Sequence, residues 1–195
     1  MNSFGEVGFG FNRTYTYLDR TTGLWHSKEG KPDLQFSNNF RFIRGNHDGP
    51  EACRKHPNYL GDYGVTEDGI FFVSGAWSID REYRTEGIDW WADEELDYQQ
   101  LQDAIVLYEK TKPDIVISHT FPTVICKMIN KNAKGSRTEN ALQTMWEIHK
   151  PKFWSAGHWH PSKIWKRNAL GTEFVCLPIN GKFKISLEKY SKCVK

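Results

Sequence analysis

Apolar residues along this chain come in short, dense runs, separated by stretches where glycine, proline, asparagine and aspartate concentrate. FRFIRG (residues 40–45), IFFVSGA (70–76), DIVISH (114–119), KFWSAGH (152–158) and EFVCLP (173–178) each read as a strand running into a loop. Two segments between them change to helical periodicity. In the first, Asp97 reads as an N-cap with Gln100 three residues on. Leu101, Ala104, Ile105 and Tyr108 then follow at i, i+3, i+4 and i+7 until Pro113 blocks continuation. The second, near residues 138–150, sets Leu142, Met145, Trp146 and His149 at the same spacing. Both stripes are predicted to be core. Strands alternating with helices, then short strands near the end, predict an α/β (α+β) fold with a mixed sheet, spanning residues 1–195 as a single domain.

Composition narrows the partners more than the fold. With 26 Lys and Arg against 24 Asp and Glu, the formal net charge is only +2, so no strong field selects nucleic acid or a membrane surface. The apolar runs fall far below the ~18 residues of a membrane span. The first twenty residues show no basic start followed by an apolar stretch, so the expectation is a cytoplasmic protein. Cys53, Cys126, Cys176 and Cys193 form no C-x-x-C pair and read as free thiols rather than a disulfide or zinc framework.

The polar residues of interest collect where predicted strands end. Asn46, His47 and Asp48 follow one strand, His119 ends another, and His158 and His160 end a third. Open α/β sheets place their binding crevice at such carboxyl ends. Singly, each residue has a plain explanation: GNHDGP (45–50) is a good turn, and His119 could be a satisfied core histidine. Together, imidazoles and an amide oxygen meeting in one cleft make a set of first-row metal ligands. His158 and His160, two positions apart, would leave a strand toward the same side. Arg81 and Arg84 suit a phosphate or a solvated surface equally. Trp77, Trp90 and Trp91 could stack a base, but packing is the better reading.

With GNHD at 45–48, SH at 118–119 and GHWH at 157–160, in that order, the chain resembles the calcineurin-like metallophosphoesterases. Residues 73–91 and 56–65 also look like segments of a branch found in bacteria and their phages. The resemblance implies a sandwich of two mixed β-sheets flanked by helices. It implies two divalent metal ions, manganese above all, with iron, zinc, nickel, cobalt or magnesium as other choices. Asn46, His119 and His158 would bind one ion and His160 the other, with a bridging carboxylate between. A water or hydroxide held by the metals would attack phosphorus in line. His47 would protonate the leaving oxygen, Asp48 would orient its ring, and Arg84 would bind substrate. The implied activity is hydrolysis of a phosphomonoester or phosphodiester, with a nucleotide or nucleic-acid end as a possible substrate. No membrane and no obligate protein partner is implied, and the host cytoplasm is the expected location if the gene is a phage's.

The beginning of the chain departs from the family pattern. The D-x-H motif is absent, and with it the first strand of the sheet. The best match to the next motif is SFGEVGFGF (3–11), where Glu6 stands in the place of an aspartate as the bridging ligand. Gly61-Asp62 comes after GNHD, in the wrong order for that role. The expectation is therefore an N-terminally incomplete enzyme, impaired by the absence of D-x-H. The alternative is a degenerate, non-catalytic metal-binding domain of the same fold.

Overall fold

A computed structural model describes residues 15–19, 24–28, 41–179 and 183–190. In chain order the elements are β1 (Tyr15–Asp19), β2 (Leu24–Lys28), α1 (Pro50–Arg54), β3 (Tyr63–Val65), β4 (Ile70–Val73), a 3-10 turn (Arg81–Tyr83), α2 (Tyr98–Thr111), β5 (Ile115–Ser118), α3 (Thr123–Ile129), α4 (Arg137–Ile148), β6 (Phe153–Ala156), β7 (Trp165–Ala169), β8 (Thr172–Cys176) and α5 (Leu187–Tyr190). β1 and β2 pair antiparallel by themselves. The remaining strands form one six-stranded sheet in the order β3-β4-β5-β6-β8-β7. β4, β5, β6 and β8 run parallel, and β3 and β7 close the edges antiparallel. This is the mixed sheet flanked by helices that the alternation predicts.

Every residue of β4, β5 and β6 is buried, the pattern of parallel strands covered on both faces. Alternation sorts their side chains into two cores. Phe71, Val73, Val116, Trp154, Phe174 and Cys176 pack with Leu101 and Tyr108 of α2 and with Leu142, Met145 and Trp146 of α4. Ile70, Phe72, Ile115, Ile117, Phe153 and Val175 face the other way, against Ile43, Leu60 and the segment that ends at Tyr190. Each fully buried side chain of this size contributes roughly 1.5–3 kcal/mol of transfer free energy.

Both anticipated helices form, and their caps explain where they begin. Asp97 accepts from Gln100 N, and Gln100 reaches back to Asp97 N, so two orphan amides are satisfied at the start of α2. Ser136 and Glu139 do the same for α4. That places the start of α4 at Arg137, just ahead of the predicted 138. His149 is its C-cap rather than part of the apolar stripe, and donates through Nε2 to Pro113 O at 3.1 Å.

The structure adds elements that the sequence pattern does not predict, β1, β2, β3, β7, α1, α3 and α5, and forms no strand at residues 41–45. α3 and β7 lack a clear period: α3 buries only Ile125 and Cys126, and β7 exposes most of its length. Of the segment 40–45, expected as a strand, the described residues 41–45 contribute a single isolated bridge, Phe42 to Tyr59. From Phe42 onward this segment lies between two partners. Phe42 bonds with Asn58 and Leu60, whereas Arg44 O accepts from Gly75 N at 2.9 Å, so no ladder can develop on either side. Cys53, Cys126 and Cys176 are free and buried, as anticipated; Cys193 lies outside the described residues. Among the described residues no helix is long and apolar enough to cross a membrane.

Candidate metal centre

Because β4, β5 and β6 are parallel, their carboxyl ends lie along one edge of the sheet, and the backbone pairing continues just past them. His119 N donates to Val73 O at 3.2 Å, and Gly157 N to His119 O at 3.2 Å. The segment carrying Asn46 joins this edge through Gly75. Gly75 has φ +78, and a Cβ there would sit 2.2 Å from Glu94 O and 3.0 Å from Arg44 Nη1, so only glycine fits.

Three donor atoms converge at this edge from residues far apart in the chain. Asn46 Oδ1 lies 2.9 Å from His119 Nε2 and 3.1 Å from His158 Nδ1. The two imidazoles meet edge to face, with ring centroids 5.1 Å apart. Asn46 and His119 are buried and His158 is half-buried. His158 and His160 both take left-handed backbone, φ 62 and φ 43. Strand alternation had been expected to aim these two side chains together; it does not act here, because β6 ends at Ala156 and a strained turn directs both. His160 is exposed, and it lines the same cleft as His158. Trp159, between them, serves both packing and the cleft. Its ring lies against the helix-side core and its Nε1 donates to Thr120 Oγ1 at 3.2 Å, yet it also lines the cleft.

The cleft has a volume of about 600 Å³, and Asn46, His47, Arg84, His158 and His160 are among the residues that line it. His47 Nε2 faces two N–H donors, Arg84 Nη2 at 3.1 Å and Asn46 Nδ2 at 3.2 Å. Neither donor can accept, so Nε2 is an acceptor here and the ring proton sits on Nδ1. Asp48 is fully buried and accepts from Gly45 N at 2.7 Å, which tightens the GNHD turn. Arg84 also binds Asp80 through Nε and Nη2, at 2.8 and 2.6 Å. Those bonds hold the Asp80 carboxyl below its ordinary range. Arg81 lies over the Trp77 ring.

Matching family models against the chain assigns residues 13–162 to the calcineurin-like phosphoesterase model. The chain belongs to that family. A comparison with curated proteins gives no match. Calcineurin-like phosphoesterases hydrolyse phosphoesters with the help of metal ions, and typically bind two divalent ones.

The donor set of this calcineurin-like phosphoesterase fits one such ion. Donors that share one ion through bonds of about 2.0–2.2 Å lie roughly 3–3.5 Å apart, close to the 2.9 and 3.1 Å separations around Asn46 Oδ1. An amide oxygen and two imidazole nitrogens suit a first-row divalent metal. Among the described residues no three His, Cys, Asp or Glu side chains are grouped to hold an ion. The set is completed by an amide, which such a grouping leaves out. Glu6, expected as the bridging carboxylate, lies outside the described residues.

Two residues next to the site escaped the sequence reading. Ser78 and Glu94 are buried directly behind Asn46. Burial raises the Glu94 pKa, against the hydrogen bonds from Ser78. The signal available was the pair Glu94-Glu95 just before the cap of α2, since adjacent carboxylates there are costly to bury without partners. The neighbour Glu95 serves elsewhere, accepting from Thr138 N at 2.9 Å in the first turn of α4. Asp62, set aside as a ligand on motif order, is engaged with Arg44, Arg54 and Tyr59.

Proposed function

We infer that the chain hydrolyses phosphomonoesters or phosphodiesters at a centre for two divalent ions, manganese foremost. The observation that carries this reading is the meeting of Asn46 Oδ1, His119 Nε2 and His158 Nδ1 at 2.9 and 3.1 Å. These residues would hold one ion, with His160 at the second and Glu6 as the shared carboxylate. Ions bound there supply charge neutralisation at the phosphoryl oxygens and activation of water. The chain's own residues supply the rest. Arg84, at the wall of the cleft, orients a phosphoryl oxygen. When it turns to that oxygen it frees His47 Nε2 to take up a proton from solvent, and the imidazolium so formed passes that proton to the leaving oxygen and returns to the neutral ring. Asp48 holds the turn from which His47 projects.

The test is cleavage of an aryl phosphate and an aryl phosphodiester by the full chain with added Mn²⁺. Replacing His158 or Asn46 by alanine is expected to lower turnover by more than about 100-fold. Turnover that survives either change would remove the assignment. Among the described residues the converging donors number three, enough for one ion, which favours a second reading, a degenerate, non-catalytic single-ion domain of the same fold that binds without turnover. That domain would take up one ion and melt higher with it, yet release no phosphate or alcohol.

A further inference from the structure

An asparagine that serves as a metal ligand has to present its oxygen, yet the oxygen and nitrogen of a side-chain amide are nearly the same size. Shape does not choose between them; the polarity of neighbouring groups does. Asn46 has such neighbours on the side away from the cleft. Its Nδ2 donates to Ser78 Oγ at 2.8 Å. Ser78 in turn donates its hydroxyl proton to Glu94 Oε2 at 2.5 Å, and its backbone N–H to Glu94 Oε1 at 2.8 Å. All three residues are buried, Ser78 completely, and neither Ser78 nor Glu94 lines the cleft.

We propose that Ser78 and Glu94 are positioning residues that polarise the Asn46 amide, so that its oxygen and never its nitrogen faces His119 and His158. The direction follows from proton count. A carboxylate only accepts, so the single proton of the Ser78 hydroxyl is committed to Glu94. What Ser78 then offers to Asn46 is a lone pair, and only an N–H can face it. The amide oxygen is left on the opposite side, where it meets His119 Nε2 and His158 Nδ1. Glu94 is anchored independently: Arg44 Nη1 donates to its backbone oxygen at 2.7 Å, and Arg44 precedes Asn46 by two positions. The relay therefore closes on the same turn that it orients. It rests on the metal-site reading given above.

Glu94→Gln changes this polarity at constant shape. The glutamine oxygen would accept from Ser78 N, and its amide would donate to Ser78 Oγ. The freed hydroxyl proton would then draw the Asn46 oxygen away from the histidines. Titration of the full chain with Mn²⁺ alone, followed by calorimetry, is the test. Glu94→Gln and Ser78→Ala are each expected to weaken uptake by about 10–100-fold, with the melting temperature in chelator close to that of the unsubstituted chain. Ser78→Thr, which keeps the hydroxyl, should restore it. In an Asn46→Asp background there is no amide to orient, so Glu94→Gln should cost no affinity. Two results would overturn the relay: Glu94→Gln or Ser78→Ala chains that bind Mn²⁺ as tightly as the unsubstituted one, or an equal loss from Glu94→Gln in the Asn46→Asp background. If the unsubstituted chain takes up no Mn²⁺ at all, the metal-site reading itself fails and the relay falls with it. Should Glu94→Gln not fold, Ser78→Ala and its threonine counterpart decide alone.

Discussion

Gly75 is the residue on which the site's backbone turns. Its left-handed φ of +78 and the 2.2 Å approach that a Cβ would make to Glu94 O leave no room for any side chain. Gly75→Ala is expected to cost about 3 kcal/mol or more, from dihedral strain together with a clash against backbone that cannot yield. Urea unfolding followed by circular dichroism would read this as a lower midpoint, and a midpoint within experimental error of the parent would refute it. Gly64, by contrast, meets only the far end of the Phe72 ring. The same scale explains why the histidines at 158 and 160 are set as they are. Left-handed backbone at a non-glycine residue is costly, and a chain keeps two such residues within three positions only where surrounding structure enforces them.

At the scale of elements, the helices carry their own instructions. α2 opens on a full capping box, with Gln100 N to Asp97 Oδ1 at 2.8 Å and Asp97 N to Gln100 Oε1 at 3.0 Å. It then buries Leu101, Ala104 and Tyr108 against the sheet. Asp97→Ala should lower stability by about 1 kcal/mol and leave Mn²⁺ uptake unchanged, because the cap lies on the helix and not in the donor set. A loss of metal affinity in that variant would show that α2 and the site are coupled more tightly than the contacts imply. The opening of α4 draws on a distant residue as well as its own cap. Glu95 accepts from Thr138 N, placing a carboxylate where the helix amides are unpaired. In this way consecutive glutamates serve two ends, Glu94 the Ser78 behind Asn46 and Glu95 the start of α4.

Across the whole molecule, the Arg44–Asp62 pair ties the approach to GNHD to the start of β3. Arg44 is fully buried, and its Nε donates to Asp62 Oδ1 at 3.0 Å. Burial alone would raise the Asp62 pKa, but the Arg44 charge and the hydrogen bonds from Tyr59 and Arg44 outweigh it and hold the carboxyl below its usual range. A folded pKa below the unfolded one gives stability that is complete above about pH 4 and is lost as pH falls through the folded value. Asp62→Asn should therefore destabilise the chain by about 3–5 kcal/mol at neutral pH, since it strands a buried guanidinium. The gap to the parent should narrow steadily below about pH 4. Melting temperatures of both chains across that range would check it, and a constant gap would show that the pair's charge is not what matters.

How much of this was legible in the residues alone depended on the range of the interactions involved. Apolar runs at 70–76, 114–119, 152–158 and 173–178 declared the central strands, and the Asp97–Gln100 cap and the helical spacing from Leu142 to Trp146 declared the helices, because those signals are written by near neighbours. The amide and imidazoles that meet in the cleft were likewise visible as a set, although Asn46 follows no strand among the described residues. Tertiary structure alone decided that residues 42–44 would share their hydrogen bonds between two partners and form no ladder, and that Asn46 would meet residues 73 and 112 positions away. It alone placed Ser78 and Glu94 behind that amide and gave His158 and His160 their left-handed turns. The physical reason is that side-chain direction and amide polarity are set by groups that approach only after the sheet has closed, which no local pattern of hydrophobic and polar residues encodes.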